Sequence, residues 1–133
     1  MKYLKDYMSA RQTVALNKAG AFFAFSTTQF EDQKKPNITY VNGPAGMICP
    51  KDTLTTLLRE LDEIYTSSIA QDLAENGANA IIIRELNNHE AYYTGDIEST
   101  VEALSDYPYP ITIENILKVF KNKNYDIPFD KTS

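Results

Sequence analysis

The feature that most constrains the fold is a set of apolar residues at helical spacing between positions 54 and 65. Its members are Leu54, Leu57, Leu58, Leu61, Ile64 and Tyr65. Apolar side chains that recur every three or four positions share one face of a helix, and that face needs a surface to pack against. The sequence therefore predicts a long amphipathic helix, which Ile69 and Leu73 would continue up to a break at Asn76-Gly77.

Three short apolar runs that precede this helix predict a small β-sheet. The runs are residues 21–25, which are rich in phenylalanine, residues 38–41 and residues 46–49. Asn42-Gly43 favours a tight turn between the second and third runs, and Pro44 lengthens that connection beyond a minimal hairpin. Because such connections join neighbouring strands, the predicted sheet is antiparallel.

Helical spacing and capping residues predict further helices at residues 2–18, 27–33, 96–104 and 112–120. Residues 80–86 suit a buried strand as well as a buried helix, and a helix is favoured because Gly77 supplies a break before them. We therefore expect one α+β domain over residues 1–123, with a small antiparallel sheet of about three strands packed against four to five helices. Residues 124–133 are expected to form a mobile C-terminal tail.

Several classes of function are disfavoured by what the sequence lacks. Its longest apolar runs, at 21–25 and 80–83, are far shorter than a membrane span, and charged residues interrupt any secretory leader. One cysteine allows no internal disulfide, and one histidine allows no multi-histidine metal site. We expect a cytoplasmic protein with no membrane contact, no metal and no cofactor.

Charge is distributed unevenly along the chain, although the net charge is only −5. Residues 52–114 contain two basic and thirteen acidic side chains, whereas residues 1–51 contain seven basic and three acidic. Direct nucleic-acid binding is not expected, because it needs a basic face. Either the basic ends fold back over the acidic helices, or an acidic surface is offered to a basic protein partner. Opposite charges at the ends and the centre would also support a homodimer.

Tyrosines flank the most acidic of the predicted helices. The residues of this candidate binding face are Asp96, Glu98, Glu102, Tyr92, Tyr93, Tyr107 and Tyr109. Tyrosine offers apolar area with a polar tip, which suits a protein interface. The alternative is ordinary half-buried packing of these tyrosines in a small domain.

A second candidate is the polar cluster of Glu85, Asn88, His89 and Glu90. A histidine beside a carboxylate acts as a general base when its pKa lies near neutrality. In a helix Glu85 and His89 share a face, whereas His89 and Glu90 point about 100° apart. The alternative is that these residues cap the end of a helix, so no catalytic residue is assigned.

Three stretches of the chain carry a resemblance to a known protein family. They are residues 17–26 (NKAGAFFAFS) with Gln29-Phe30, residues 45–51 (AGMICPK) and residues 88–91 (NHEA). On these stretches, and over most of residues 14–121, the chain resembles a family of small proteins of unknown function from bacteriophages and gut bacteria. The resemblance implies a phage or mobile-element context, and it carries no established activity.

The leading hypothesis is a non-enzymatic accessory protein of phage or mobile-element origin. It would bind a host or phage protein through the acidic, tyrosine-flanked helical face. One alternative is a small enzyme that uses His89 with Glu85 or Glu90. The other is an acidic DNA mimic, in which carboxylates imitate phosphate groups.

Overall fold

The computed structural model describes residues 1–126. In chain order its elements are α1 (Leu4–Ala19), β1 (Phe22–Phe23), α2 (Thr27–Gln33), β2 (Tyr40–Asn42), a 3-10 turn (Pro44–Gly46), β3 (Met47–Pro50), α3 (Leu54–Asn76), α4 (Ala78–Asn88), α5 (Ala91–Thr94), α6 (Glu98–Ala103) and α7 (Ile113–Asp126). Two compact units are formed, one by Lys2–Ala70 and one by the chain from Gln71 onward. The long helix α3 contributes residues to both units.

The α+β class is confirmed. Within residues 1–126, three strands form one antiparallel sheet in the order β1-β3-β2, and seven α-helices accompany it. The seven helices outnumber the four to five expected. Six of them match segments that the sequence marks as helical, and the seventh, α5, is a single turn that gives no periodic signal. The helix α7 extends to Asp126, and residues 127–133 of the predicted mobile tail lie outside the described residues.

The turn between β2 and β3 differs from the one expected at Asn42-Gly43. Positive φ angles occur instead at Ala45 (58°) and Gly46 (81°), while Gly43 is extended with φ −103° and ψ −169°. The residue before a proline is held in extended conformations by clash with the proline ring. Pro44 therefore excludes the expected turn, and the residues with positive φ lie three positions further along the chain.

The outer edge of the sheet at β1 is closed by two side chains of α2. The Gln33 side-chain amide donates to the Phe23 carbonyl oxygen at 3.1 Å, and the Phe25 backbone N–H donates to Gln29 Oε1 at 2.6 Å. An unpaired edge strand is a template for association with another chain. Because Gln29 and Gln33 are four positions apart, one face of α2 satisfies this edge.

The core of the unit Lys2–Ala70 lies where α1 and α3 pack against β3. Its buried members are Ala15, Ala19, Met47, Cys49, Leu57 and Ile64. The Thr53 hydroxyl donates to the Ala19 carbonyl oxygen at 2.7 Å and so ties the end of α1 to the start of α3. The apolar stripe of the sequence thus finds its partners in α1 and the sheet.

Gly77 separates α3 from α4, as the sequence predicts. Its φ of 81° lies in the left-handed region, where a residue with a Cβ is strained. Residues 80–86 are helical, within α4. Ile81 and Ile82 are buried on the inner face of this helix, whereas Ile83 is 38 % exposed.

The last helix begins where the sequence predicts, because the Thr112 hydroxyl accepts the Asn115 backbone N–H at 3.1 Å. Ile116 and Phe120 form its buried face. No helix in the described range 1–126 is both long enough and apolar enough to cross a membrane.

Candidate functional site

The site residues predicted from the sequence belong to the unit that starts at Gln71. At its centre is a polar network that joins α3, α4 and the segment before α7. Arg84 donates two parallel hydrogen bonds to Asp72, from Nη1 to Oδ1 at 2.9 Å and from Nη2 to Oδ2 at 3.0 Å. Both side chains are buried, with 3 % and 0 % of their surface exposed. Such a two-pronged pair is among the strongest polar contacts in proteins.

Two further donors complete the shell around the Asp72 carboxylate. The Tyr107 hydroxyl donates to Oδ2 at 2.5 Å, and the Asn76 side-chain amide donates to Oδ1 at 2.7 Å. Burial by itself raises the pKa of Asp72, but the hydrogen bonds from Arg84, Tyr107 and Asn76 outweigh it and hold that pKa below its ordinary value. The carboxylate is therefore charged at neutral pH, and its two oxygens accept four hydrogen bonds.

The same contacts also change the pKa values of two donors to Asp72, Arg84 and Tyr107. Burial lowers the pKa of Arg84, yet its hydrogen bonds to Asp72 and Glu85 more than compensate and leave the pKa above the usual arginine value. Burial and the hydrogen bond to Asp72 both raise the pKa of Tyr107. Neither group exchanges a proton near neutral pH, so this network stabilises the fold rather than carrying acid–base chemistry.

The predicted polar cluster is only partly assembled. Glu85 and His89 do share a face of α4, with His89 Nε2 3.7 Å from Glu85 Oε1. The other oxygen of Glu85 accepts a hydrogen bond from Arg84 Nε at 2.6 Å. Asn88 and Glu90 are exposed, and Glu90 adopts a positive φ of 54° at the turn into α5. A His–Glu pair is thus present without the other two residues of the cluster.

The predicted acidic residues lie on the surface. Asp96, Glu98 and Glu102 are all exposed. The Asp96 side chain accepts the Glu98 backbone N–H at 2.9 Å and so helps to start α6. Glu98 and Glu102 are four positions apart and share a face of that helix.

The four tyrosines are divided between surface and interior. Tyr93 and Tyr109 are 90 % and 83 % exposed, whereas Tyr107 is only 6 % exposed and belongs to the buried network. Tyr92 stacks on Phe120 with ring centroids 5.4 Å apart. Its hydroxyl is buried without a hydrogen-bond partner in the described part of the chain, and burial raises its pKa. Of these four tyrosines, only Tyr93 and Tyr109 are therefore largely exposed on the surface.

The described residues show no metal centre. No group of three or more His, Cys, Asp or Glu side chains within residues 1–122 is arranged to hold an ion. Cys49 is fully buried, and its Sγ lies 3.4 Å from the Thr53 hydroxyl.

Comparison with known proteins bears on this chain as a whole. A family model described as "Family of unknown function (DUF7659)" matches residues 4–124. The chain belongs to this family. No curated protein and no solved structure matches it significantly. Family membership over nearly the whole described length agrees with the expected membership in a family of unknown function.

The buried network of this family member was missed in the sequence. Asp72 and Arg84 are 12 positions apart, and Asp72 and Tyr107 are 35 apart, so no local spacing joins them. One feature of the sequence could have indicated this buried network. Arg84 is the sole lysine or arginine between Arg59 and Lys118, and it stands between Ile81-Ile82-Ile83 and Leu86. A lone cation inside an apolar run needs a buried carboxylate partner.

Proposed function

We propose that the protein is a non-enzymatic binding module whose acidic face contacts a basic protein. We define the acidic face as the exposed side chains Tyr93, Asp96, Glu98, Glu102 and Tyr109. We further propose that the module is an accessory protein of phage or mobile-element origin that acts in the cytoplasm. The partner would be a host or phage protein with clustered lysine or arginine.

One observation carries this proposal. Arg84, the sole lysine or arginine of residues 72–114, is buried against Asp72 and Glu85 and adds nothing to the surface. The exposed carboxylates of the same range are Glu75, Glu90, Asp96, Glu98, Glu102, Asp106 and Glu114. No lysine or arginine of this range is exposed to offset them, which favours capture of a basic partner by electrostatic steering.

The exposed aromatic residues support an interface rather than a purely solvated surface. Tyr93 lies three positions before Asp96 in the chain. The Thr94 hydroxyl accepts the Asp96 backbone N–H at 3.2 Å, so these residues form one ordered turn. Tyrosine rings bind lysine and arginine through their π faces while neighbouring carboxylates bind the charge. A large aromatic ring at 90 % exposure has no role in packing this unit.

The test is an affinity capture from bacterial lysate with the tagged full chain, at low salt and at about 1 M salt, where charges are screened beyond about 3 Å. We expect one stoichiometric partner that is lost at high salt. The double reversal Glu98→Lys/Glu102→Lys should weaken binding of that partner about tenfold or more.

The matched control is Asp62→Lys/Glu63→Lys. These two exposed carboxylates of α3 belong to the unit Lys2–Ala70, and their reversal changes the net charge by the same amount. We expect the control to bind almost normally. Equal weakening by both variants would mean that net charge, and not this face, governs binding.

The two alternative functions are separated by direct measurements. The DNA mimic predicts that duplex DNA competes with the protein for its partner, whereas the binding module predicts no competition. The small enzyme at His89 rests on the 3.7 Å approach of His89 to Glu85. It predicts loss of activity on a metabolite panel in His89→Ala, with the captured partner still bound.

A further inference from the structure

A cleft of about 660 Å³, lined by both polar and apolar residues, opens in the unit Lys2–Ala70, remote in sequence from the acidic face. Three separate segments each place one lysine in its wall. Lys18 comes from the last turn of α1, Lys35 from the loop after α2, and Lys51 from the connection between β3 and α3. Asp52 is the one acidic residue of this wall.

Hydrogen bonds fix the segments that form the cleft. The Lys35 backbone N–H donates to the Tyr40 hydroxyl at 3.0 Å. The Lys51 backbone N–H donates to the Thr39 carbonyl oxygen at 2.8 Å. Both lysines are thus anchored to the same strand region, and a preformed wall lowers the entropy that a ligand must overcome.

Two of the three ammonium groups are available to a ligand. Lys18 pairs with Glu60 at 3.1 Å, which offsets part of its charge. Within residues 1–122, whose side chains the structure describes, neither the Lys35 nor the Lys51 side chain forms an ion pair. Asn17 and Asn37 add amide groups to the same wall. Lysine binds phosphate as a point charge, and amide N–H groups donate to its remaining oxygens.

We propose that this cleft binds the phosphate group of a small phosphorylated molecule. The volume suits such a ligand, because small-molecule sites usually measure about 300–1,000 Å³. Lys35 and Lys51 hold the phosphate from two sides, and Asn37 with Asn17 orients it. This proposal does not rest on the acidic face, since none of its residues belongs to that face.

The first experiment is an NMR titration of the isotope-labelled full chain with inorganic phosphate, with AMP and with adenosine. We expect saturable shifts at the backbone amides of Lys35, Thr39 and Lys51 with phosphate and with AMP. Adenosine lacks the phosphate and should leave these amides unchanged. Equal shifts with adenosine, or no saturable shift with either phosphate compound, would overturn the proposal.

Matched variants test whether the cleft or the overall charge is responsible. Lys35→Met and Lys51→Met should each weaken AMP binding about tenfold, as loss of one charge-assisted hydrogen bond does. Lys5→Met removes the same charge from an exposed position of α1 outside the cleft and should bind AMP normally. Equal weakening by Lys5→Met would refute a specific site. A single-stranded oligonucleotide that binds more tightly than AMP at these same amides would refute a small-molecule ligand.

Discussion

Loss of the Arg84 guanidinium should strongly destabilise the unit that starts at Gln71. In Arg84→Met the Asp72 carboxylate stays buried, with 0 % of its side chain exposed, and loses both hydrogen bonds at 2.9 and 3.0 Å. Tyr107 and Asn76 remain as donors, but neither supplies a positive charge. Removal of one partner from a buried ion pair costs about 3–5 kcal/mol.

A second route sets an upper bound on this cost. The stranded Asp72 carboxylate can take up a proton instead of staying charged. Protonation of a carboxyl group with an ordinary pKa of about 3.9 costs about 4 kcal/mol at pH 7, at about 1.4 kcal/mol for each pH unit. The two values agree, so we expect Arg84→Met to lower the free energy of unfolding by about 3–4 kcal/mol. The loss should shrink as the pH is lowered toward about 4.

Urea unfolding followed by circular dichroism measures this change. The matched control is Arg59→Met, which removes an exposed arginine of α3 and should stay within about 0.5 kcal/mol of the parent chain. The double variant Asp72→Asn/Arg84→Met removes the buried Asp72 charge, although Glu85 still loses its contact with Arg84, and it should be more stable than Arg84→Met alone. A loss below about 1 kcal/mol in Arg84→Met, or a double variant less stable than the single one, would refute this account of the network.

Three other predictions concern the same network and the sheet edge. Because the folded-state pKa of Asp72 lies below its unfolded value of about 3.9, its carboxylate stabilises the fold above that value, and this stability is lost as the pH falls through the lower, folded pKa. Urea midpoints measured from neutral to acid pH should therefore fall less steeply in Asp72→Asn, and an unchanged slope would argue against a depressed pKa. Tyr107→Phe removes one donor from the charged Asp72 carboxylate but leaves Arg84 in place, so urea unfolding should show a loss of about 1.5–2 kcal/mol; a loss as large as that of Arg84→Met would contradict this ranking. Gln29→Ala/Gln33→Ala opens the outer edge of β1, and light scattering should show self-association that rises with concentration, while a monomeric variant would show that the glutamines do not protect the edge.

The elements that the sequence predicted well are those with a strong local signal. The stripe that starts at Leu54 and the Thr112 cap predicted α3 and the start of α7, because helical spacing and capping act within about one turn. The strands were harder to place. β1 has two residues where five were expected, because strand length depends on partners that are distant in sequence. The turn before β3 moved for a local reason, since Pro44 holds the residue before it in an extended conformation.

The residues of the candidate site also differ in how far the sequence predicts their exposure. Exposure of Asp96, Glu98 and Glu102 follows from their charge and agrees with a local reading of the sequence. The positions of the tyrosines do not follow from local sequence. Tyr107 and Tyr109 are two positions apart, yet one is 6 % and the other 83 % exposed. Only the path of the chain after α6 decides which ring meets Asp72.

The sequence by itself determined the class of the fold, the amphipathic α3 and the excess of acidic residues after position 52. Only the tertiary structure decided that Arg84 is buried against Asp72 and that the exposed carboxylates of residues 72–114 have no exposed lysine or arginine within that range. The physical reason is the range of the interactions. Helical periodicity acts over three or four residues, whereas the burial of a charge depends on whether a partner 12 positions away along the chain is brought within hydrogen-bonding distance.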